Sequence, residues 1–361
     1  MRISKNTWIV LGVAAVALRL LLTPASIEQW YSRGLYVGIR AMFSALTGWM
    51  PFAGVYLLFA GLIVWLVLQI RRFSFGKLKS GKWWLSAGHS LLAFAGAVVF
   101  FFLVLWGYNY GRIPLEQQLA LEPRPLSYDE LKSEMELATT EVIQAREFLV
   151  GNDTQVIPPK YDASELETLL ARELHKQLHG LGFPAFEQIH ARRLYPKGIL
   201  LRISTAGVYI PFTGEGHVDP GLHHLQLPFV MVHEMSHGQG FGGEGTCNFL
   251  AYLTCRRAAD PYLRYIGLLY YWRYVAADYR AFDPDGFDEI RENLPEGVKN
   301  DLRAIRKAIE RYPDIFPAVR DAAYTAYLHA QGIHDGLKNY DRVIMLVHAW
   351  RENRGTEESK N

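Results

Sequence analysis

Hydrophobic and polar positions divide the chain near residue 112: three long apolar stretches lie before that point and amphipathic segments after it. The stretches are taken as spans at about 8–23, 51–70 and 84–106, each long enough to approach the ~30 Å of a bilayer's hydrocarbon core. Arg19 interrupts the first, where it can snorkel to the interface. His89 is the lone ionisable residue between Trp84 and Trp106. Trp8, Trp49, Trp83, Trp84 and Trp106 sit at stretch ends, as an aromatic belt requires. Residues 27–46 mix Tyr31, Leu35, Ile39 and Phe43 with Arg33 and Arg40, which suits an amphipathic surface helix or one packed on the spans.

Arg71, Arg72, Lys77, Lys79 and Lys82 follow the second stretch with no acid among them. They place that loop in the cytoplasm. The expected location is a bacterial-type inner (plasma) membrane, multi-pass, with the part after Arg112 on the extracytoplasmic (periplasmic) side. The segment after Met1–Lys5 also has the form of a signal peptide, but no convincing cleavage site follows, so an uncleaved anchor is expected.

Beyond the anchor (1–111) the pattern predicts one mainly α, α+β domain over 112–352, then a disordered tail over 353–361. Ser127 and Glu130 form a capping box that opens a helix reaching Val150. A second amphipathic helix covers Asp162–Leu181. Ile199–Ile203 and Gly207–Phe212 are rich in β-branched and aromatic residues bounded by glycine, and are expected as strands. Helices follow over Pro261–Tyr279, Gly286–Tyr312, Asp321–His329 and Asn339–Trp350.

Composition adds less. The formal net charge is +2 over 361 residues, so no nucleic-acid partner is implied. The two cysteines, Cys247 and Cys255, fall on one predicted helix about 12 Å apart, too far for a disulfide.

The chemistry concentrates in Val232-His233-Glu234-Met235-Ser236-His237. Histidines four apart share one helix face, and their imidazoles can hold one cation, zinc being the usual choice. Glu234 stands one step round the helix as general base. Five glycines between Gly238 and Gly245 let the chain reverse. Glu244, opening the next apolar helix, is then the third-ligand candidate, with Glu215 and His217 as rivals. Asn248, four residues on, can orient a ligating histidine. His223 and His224 read as loop residues that can border the cleft.

On these residues the chain resembles an uncharacterised family of membrane-anchored proteins with a zinc-peptidase signature, domain of unknown function 3810. The likeness also rests on Asn109-Tyr110-Gly111-Arg112-Ile113-Pro114 and Tyr209-Ile210-Pro211-Phe212-Thr213-Gly214-Glu215, and covers nearly the whole length. Glu244-Gly245-Thr246-Cys247-Asn248 is similar to the ExxA[DN] element of gluzincin-type peptidases, with Cys247 in place of the usual alanine. The resemblance implies a zincin-like domain with a small sheet beside the HExxH helix.

The expected function is a membrane-anchored zinc metallopeptidase, with one Zn2+ per chain held by His233, His237 and Glu244. It would act on a peptide or protein of the cell envelope, through a water that zinc activates and Glu234 deprotonates. Tyr340 is carried as the oxyanion stabiliser from a set of candidates with Tyr324, Tyr327, His329, His334 and His348, among which the sequence does not choose. Two other readings stand beside this one. Intramembrane proteolysis would need the metal helix inside a span, yet His233 follows only a short apolar run. A metal-binding scaffold without catalysis would have no use for Glu234.

Overall fold

The structure is a computed structural model, and it describes residues 4–71, 81–315 and 342–358. Helix dominates, about 70% of the described residues, with one small mixed three-stranded sheet among them. The chain divides into two compact units. One comprises Met1–Ile113 with Ile210–Glu215, the other Pro114–Tyr209 with Gly216–Asn361.

In the first unit, helix Gly81–Leu105 is long and apolar enough to cross a membrane. The expectation of three transmembrane helices is not supported. Helix Lys5–Leu21 stops at Leu22, and Pro24 restarts the chain as a helix bent 113° away, so the pair counts as one span at most. Val55–Arg71 is apolar but only 17 residues long. The expected amphipathic stretch is a π-helix, Ile27–Leu35, followed by an α-helix, Tyr36–Thr47. Its charged residues are largely buried: Glu28 takes a fork of two hydrogen bonds from Arg112, at 2.8 and 2.7 Å. Helix Lys5–Leu21 meets Gly81–Leu105 at Gly12 and Gly96, where a Cβ on either residue would fall within 2.7 Å of the other helix's backbone.

The second unit is built around helix Leu227–Gly238, in which every residue is buried. It packs against helices Ala163–Gly180, Glu244–Arg257 and Pro261–Phe282. The surrounding helices start where local chemistry starts them. Ser127 with Glu130, and Asp162 with Glu165, form complete capping boxes. Asp260 caps Pro261–Phe282 with proline in the first turn, where its missing N–H costs nothing. The tyrosines of that helix serve the core: Tyr270 stacks on Phe229 at 4.0 Å, and Tyr271 packs on Tyr252 at 4.6 Å. Burying each such ring contributes roughly 1.5–3 kcal/mol. Cys247 and Cys255 are buried free thiols.

The sheet has the order β1 (Ala191–Arg193), β3 (Glu215–Val218), β2 (Gly207–Ile210), with β1 and β3 parallel and Arg192 opposite His217. Four expectations change here. Ile199–Ile203 is not a strand but a 3₁₀ turn at Leu201–Ile203. The buried carboxylate of Asp219 accepts hydrogen bonds from the N–H groups of Gly198, Leu200 and Leu201, donors that a ladder would need. Second, β2 ends at Ile210, because Pro211 has no N–H to donate and Gly214 turns the chain at φ +66°. Third, Gly286–Tyr312 is two helices, Pro284–Asn293 and Glu296–Glu310, separated at Leu294-Pro295. Fourth, helix Arg342–Glu358 runs past Asn353, where a disordered tail is expected. The predicted helix Asp321–His329 lies outside the described residues.

Candidate metal centre

His233 and His237 lie one turn apart on the buried helix, with ring centroids 4.9 Å apart. The helix ends just beyond them. Gly240, at φ +91°, takes the left-handed conformation that reverses the chain, and Phe241 N–H closes back on Ser236 O at 3.2 Å. Glu244 then opens helix Glu244–Arg257 in its first turn, a position that favours a carboxylate. This tight reversal brings Glu244 Oε2 to 3.0 Å from His233 Nε2 and 3.6 Å from His237 Nε2, while the two Nε2 atoms are 3.2 Å apart.

The other ring nitrogens face away from this cluster. His237 Nδ1 lies 2.9 Å from the carbonyl of Phe241, and His233 Nδ1 lies 2.7 Å from Asn248 Oδ1. Both partners accept, so both Nδ1 atoms donate, and in a neutral ring the Nε2 lone pair then points inward. Two ring nitrogens and a carboxylate oxygen therefore converge on one point, an arrangement that a positive charge stabilises, whether a proton on His237 or a bound cation. The electrostatics agree. Burial pulls the His237 imidazole down, but Cys247 and Glu244 outweigh it and hold the group well above its ordinary range. Burial pushes the Glu244 carboxyl up, but His237 and His233 prevail and keep it well below the usual carboxylate range. The residues thus fit a divalent cation: two imidazoles and one carboxylate, their ligand atoms within 4.8 Å of one another.

Glu234 is 4% exposed, and its Oε2 makes no hydrogen bond. Burial, reinforced by Glu244, raises its carboxyl to about 7 against the opposing pull of His233 and His237. Two glycines make room for it. A Cβ on Gly207 in β2 would stand 2.5 Å from Glu234 Oε1, and one on Gly216 in β3 would stand 2.7 Å from Glu234 Cβ.

The rival ligands lie elsewhere. Glu215 accepts a hydrogen bond from Gly54 N–H at 2.7 Å within the first unit. His217 is fully buried in β3 beside Arg192 of β1, and burial lowers its imidazole to about 4. Neither belongs to the His233–His237–Glu244 group. The His223 and His224 rings are tilted against each other with centroids 4.1 Å apart, and His224 meets the carbonyl of Ile157. Tyr340, Tyr324, Tyr327, His329 and His334 lie outside the described residues. His348 belongs to a different cluster, with Glu130 and Glu352. Three participants escape a reading of the sequence: the Phe241 carbonyl, and Gly207 and Gly216. The short Gly-rich reversal signals the first, whereas nothing local signals that two separate strands press on Glu234.

A family model described as "Protein of unknown function (DUF3810)" matches residues 31–348. No curated protein and no solved structure matches the chain.

Proposed function

The chain belongs to the DUF3810 family, and within it we propose a membrane-anchored, zinc-dependent metallopeptidase. The reading is supported by the convergence of His233 Nε2, His237 Nε2 and Glu244 Oε2 on one point, next to the buried Glu234 carboxylate, whose Oε2 makes no hydrogen bond. His233, His237 and Glu244 would hold the ion. When bound, zinc acts as a Lewis acid toward a peptide carbonyl and increases the acidity of water in the site.

The remaining steps belong to the protein. Glu234, ionised, takes a proton from the attacking water and delivers it to the leaving amine. Its raised pKa suits both halves of that exchange. Asn248 and the Phe241 carbonyl keep each imidazole in one tautomer and orientation. Gly207 holds β2 against the Glu234 carboxylate. Because β2 is an edge of the sheet among the described strands, an extended peptide can pair with it and lie across the base.

Anchoring is assigned to Gly81–Leu105. Lys79 and Lys82 at its start favour the cytoplasm, which directs the residues after it to the extracytoplasmic side. A peptide or protein of the cell envelope is then the accessible substrate class.

The test is zinc per chain in the purified full-length protein, beside peptidase activity against a peptide library. Zinc near one per chain, lost in Glu244→Ala and retained in Glu234→Gln, with turnover abolished in both, is the expected result. A Glu234→Gln variant that keeps turnover would sink the mechanism, and zinc unchanged in Glu244→Ala would sink the ligand set.

A further inference from the structure

Twenty-seven consecutive residues, 188–214, contain no Asp or Glu but carry Arg192, Arg193, Lys197 and Arg202. Within this stretch the loop between β1 and β2 turns apolar side chains outward. Tyr195 is 52% exposed, Ile199 43% and Ile203 40%, while Leu194, Leu200 and Leu201 fill the core beneath them. Arg202 N–H bonds to Gly198 O and Ile203 N–H to Leu200 O, so the backbone turns helically here and brings Ile199 and Ile203 to one side. Ile315, 52% exposed, adds to them through its N–H bond to Arg202 O at 2.9 Å. Lys197 and Arg202 stand exposed among these residues. Asp314 is the nearby acid, and Ser204 Oγ holds it at 2.5 Å.

Single exposed apolar residues are ordinary. Three on one loop, joined by Ile315 and interleaved with cations, form a patch of the kind that marks an interaction site. Aromatic and aliphatic side chains at headgroup depth, with lysine and arginine beside them, are the chemistry of an interfacial membrane contact. Charge complementarity selects the partner: a surface on which Lys197 and Arg202 outnumber the one neighbouring acid, Asp314, matches an anionic leaflet.

We propose that the loop bearing Tyr195, Lys197, Ile199, Arg202 and Ile203, with Ile315, docks the second unit onto the surface of an anionic bilayer. This goes beyond the peptidase reading and does not depend on it. A chain already tethered to the bilayer needs only weak affinity at this patch, because tethering makes the contact intramolecular. Docking would restrict the substrates of any site in this unit to those lying close to the membrane.

The experiment uses the full chain in nanodiscs of phosphatidylcholine, alone or mixed with phosphatidylglycerol. Both native cysteines are buried, so a fluorophore on Ile203→Cys, or on Phe148→Cys as control (Phe148 is 74% exposed on helix Tyr128–Val150), reports one site. Doxyl lipids should quench the label at 203 and not at 148, more strongly in the anionic discs. Lys197→Glu and Arg202→Glu should each weaken the anionic preference about fivefold or more, since one basic residue near a charged leaflet contributes about a factor of five. These exposed substitutions should leave the thermal midpoint unchanged. An unquenched label at 203 in anionic discs overturns the proposal, whether the patch meets another protein or water. Equal quenching in both lipids overturns the assignment to anionic headgroups. Failure of the chain to enter discs at all would instead refute anchoring through Gly81–Leu105.

Discussion

Among the described residues, two groups in the second unit bring histidine and acid ligand atoms within 4.8 Å of one another: His233–His237–Glu244 and Glu130–His348–Glu352. Proximity is the same; the surroundings differ. In the second group Arg124 meets both oxygens of Glu130, at 2.5 and 2.9 Å, and reaches Glu352 at 3.6 Å. Glu130 also accepts from Ser127 as part of its capping box. Glu134, 3.7 Å from His348 Nδ1, receives Arg351 at 2.6 Å. These carboxylates already have their cations. In the first group Glu244 meets the two imidazoles, which turn their outer nitrogens to Asn248 and Phe241. The two groups thus share ligand spacing and differ in what surrounds it: arginines on the carboxylates of one, hydrogen-bond acceptors behind the imidazoles of the other.

Removing the metal should break the contrast most visibly. Chelation of the zinc-loaded protein should lower its stability by about 4 kcal/mol if free metal had stood near a thousand times its Kd. His237→Ala should remove that difference, whereas His348→Ala should leave both the metal content and the chelator shift unchanged, as read by calorimetry and elemental analysis. A loss of metal in His348→Ala would erase the distinction between the two groups.

The pH dependence of the metal-free protein should come next in size. Burial raises the Glu234 carboxyl from 4.5 to about 7, so the folded state holds the proton more tightly than the unfolded chain. Stability contributed by the protonated group is complete below about 4.5 and is lost as pH rises toward 7, on the order of 3 kcal/mol. Denaturation of Glu234→Gln across this range should lack that decline. A parallel curve for variant and wild type would refute the assignment.

Gly207→Ala sharpens the picture inside the site. The new methyl would fall 2.5 Å from Glu234 Oε1, displacing a carboxylate that has no other hydrogen bond on its second oxygen. Activity should fall about 100-fold, the scale of a ~1 Å misplacement, with zinc retained. Full activity would mean that Glu234 can move without penalty. The smallest effect belongs to the salt-bridge network. The Arg124–Glu130 pair holds the carboxyl below its ordinary range, so its stabilisation is present above the unfolded-state value and fades as pH falls toward acid. Arg124→Ala should lower the thermal midpoint slightly at neutral pH and not at all in strong acid.

The clustering of His233, His237 and Glu244 was legible in the sequence because its determinants are local. A helix repeats every 3.6 residues, so His233, Glu234 and His237 have their relative placement before any tertiary contact forms. The glycines up to Gly245 limit how far Glu244 can lie. Capping boxes at Ser127 and Asp162 are equally local. The sheet was not legible. β1 is three residues long, and β3 reads Glu-Gly-His-Val, with two polar residues, yet all four are buried. Ile199–Ile203 has the composition of a strand and loses its ladder to Asp219, eighteen or more residues away. Span count failed for another reason: apolar composition continues across Leu22 and Pro24, while the helix does not.

Asp219 has a consequence for the motions of the chain. Its buried carboxylate gathers the amides of Gly198, Leu200, Leu201 and Gly221 at 2.7–3.1 Å. These protons belong to no helix or ladder of any length, yet they should resist exchange with solvent as those of a core strand do, and open together when the one carboxylate lets go. The loop that carries Ile199 and Ile203 thus has most of its conformational entropy removed at folding rather than on meeting a surface. It can engage and leave repeatedly without reordering itself.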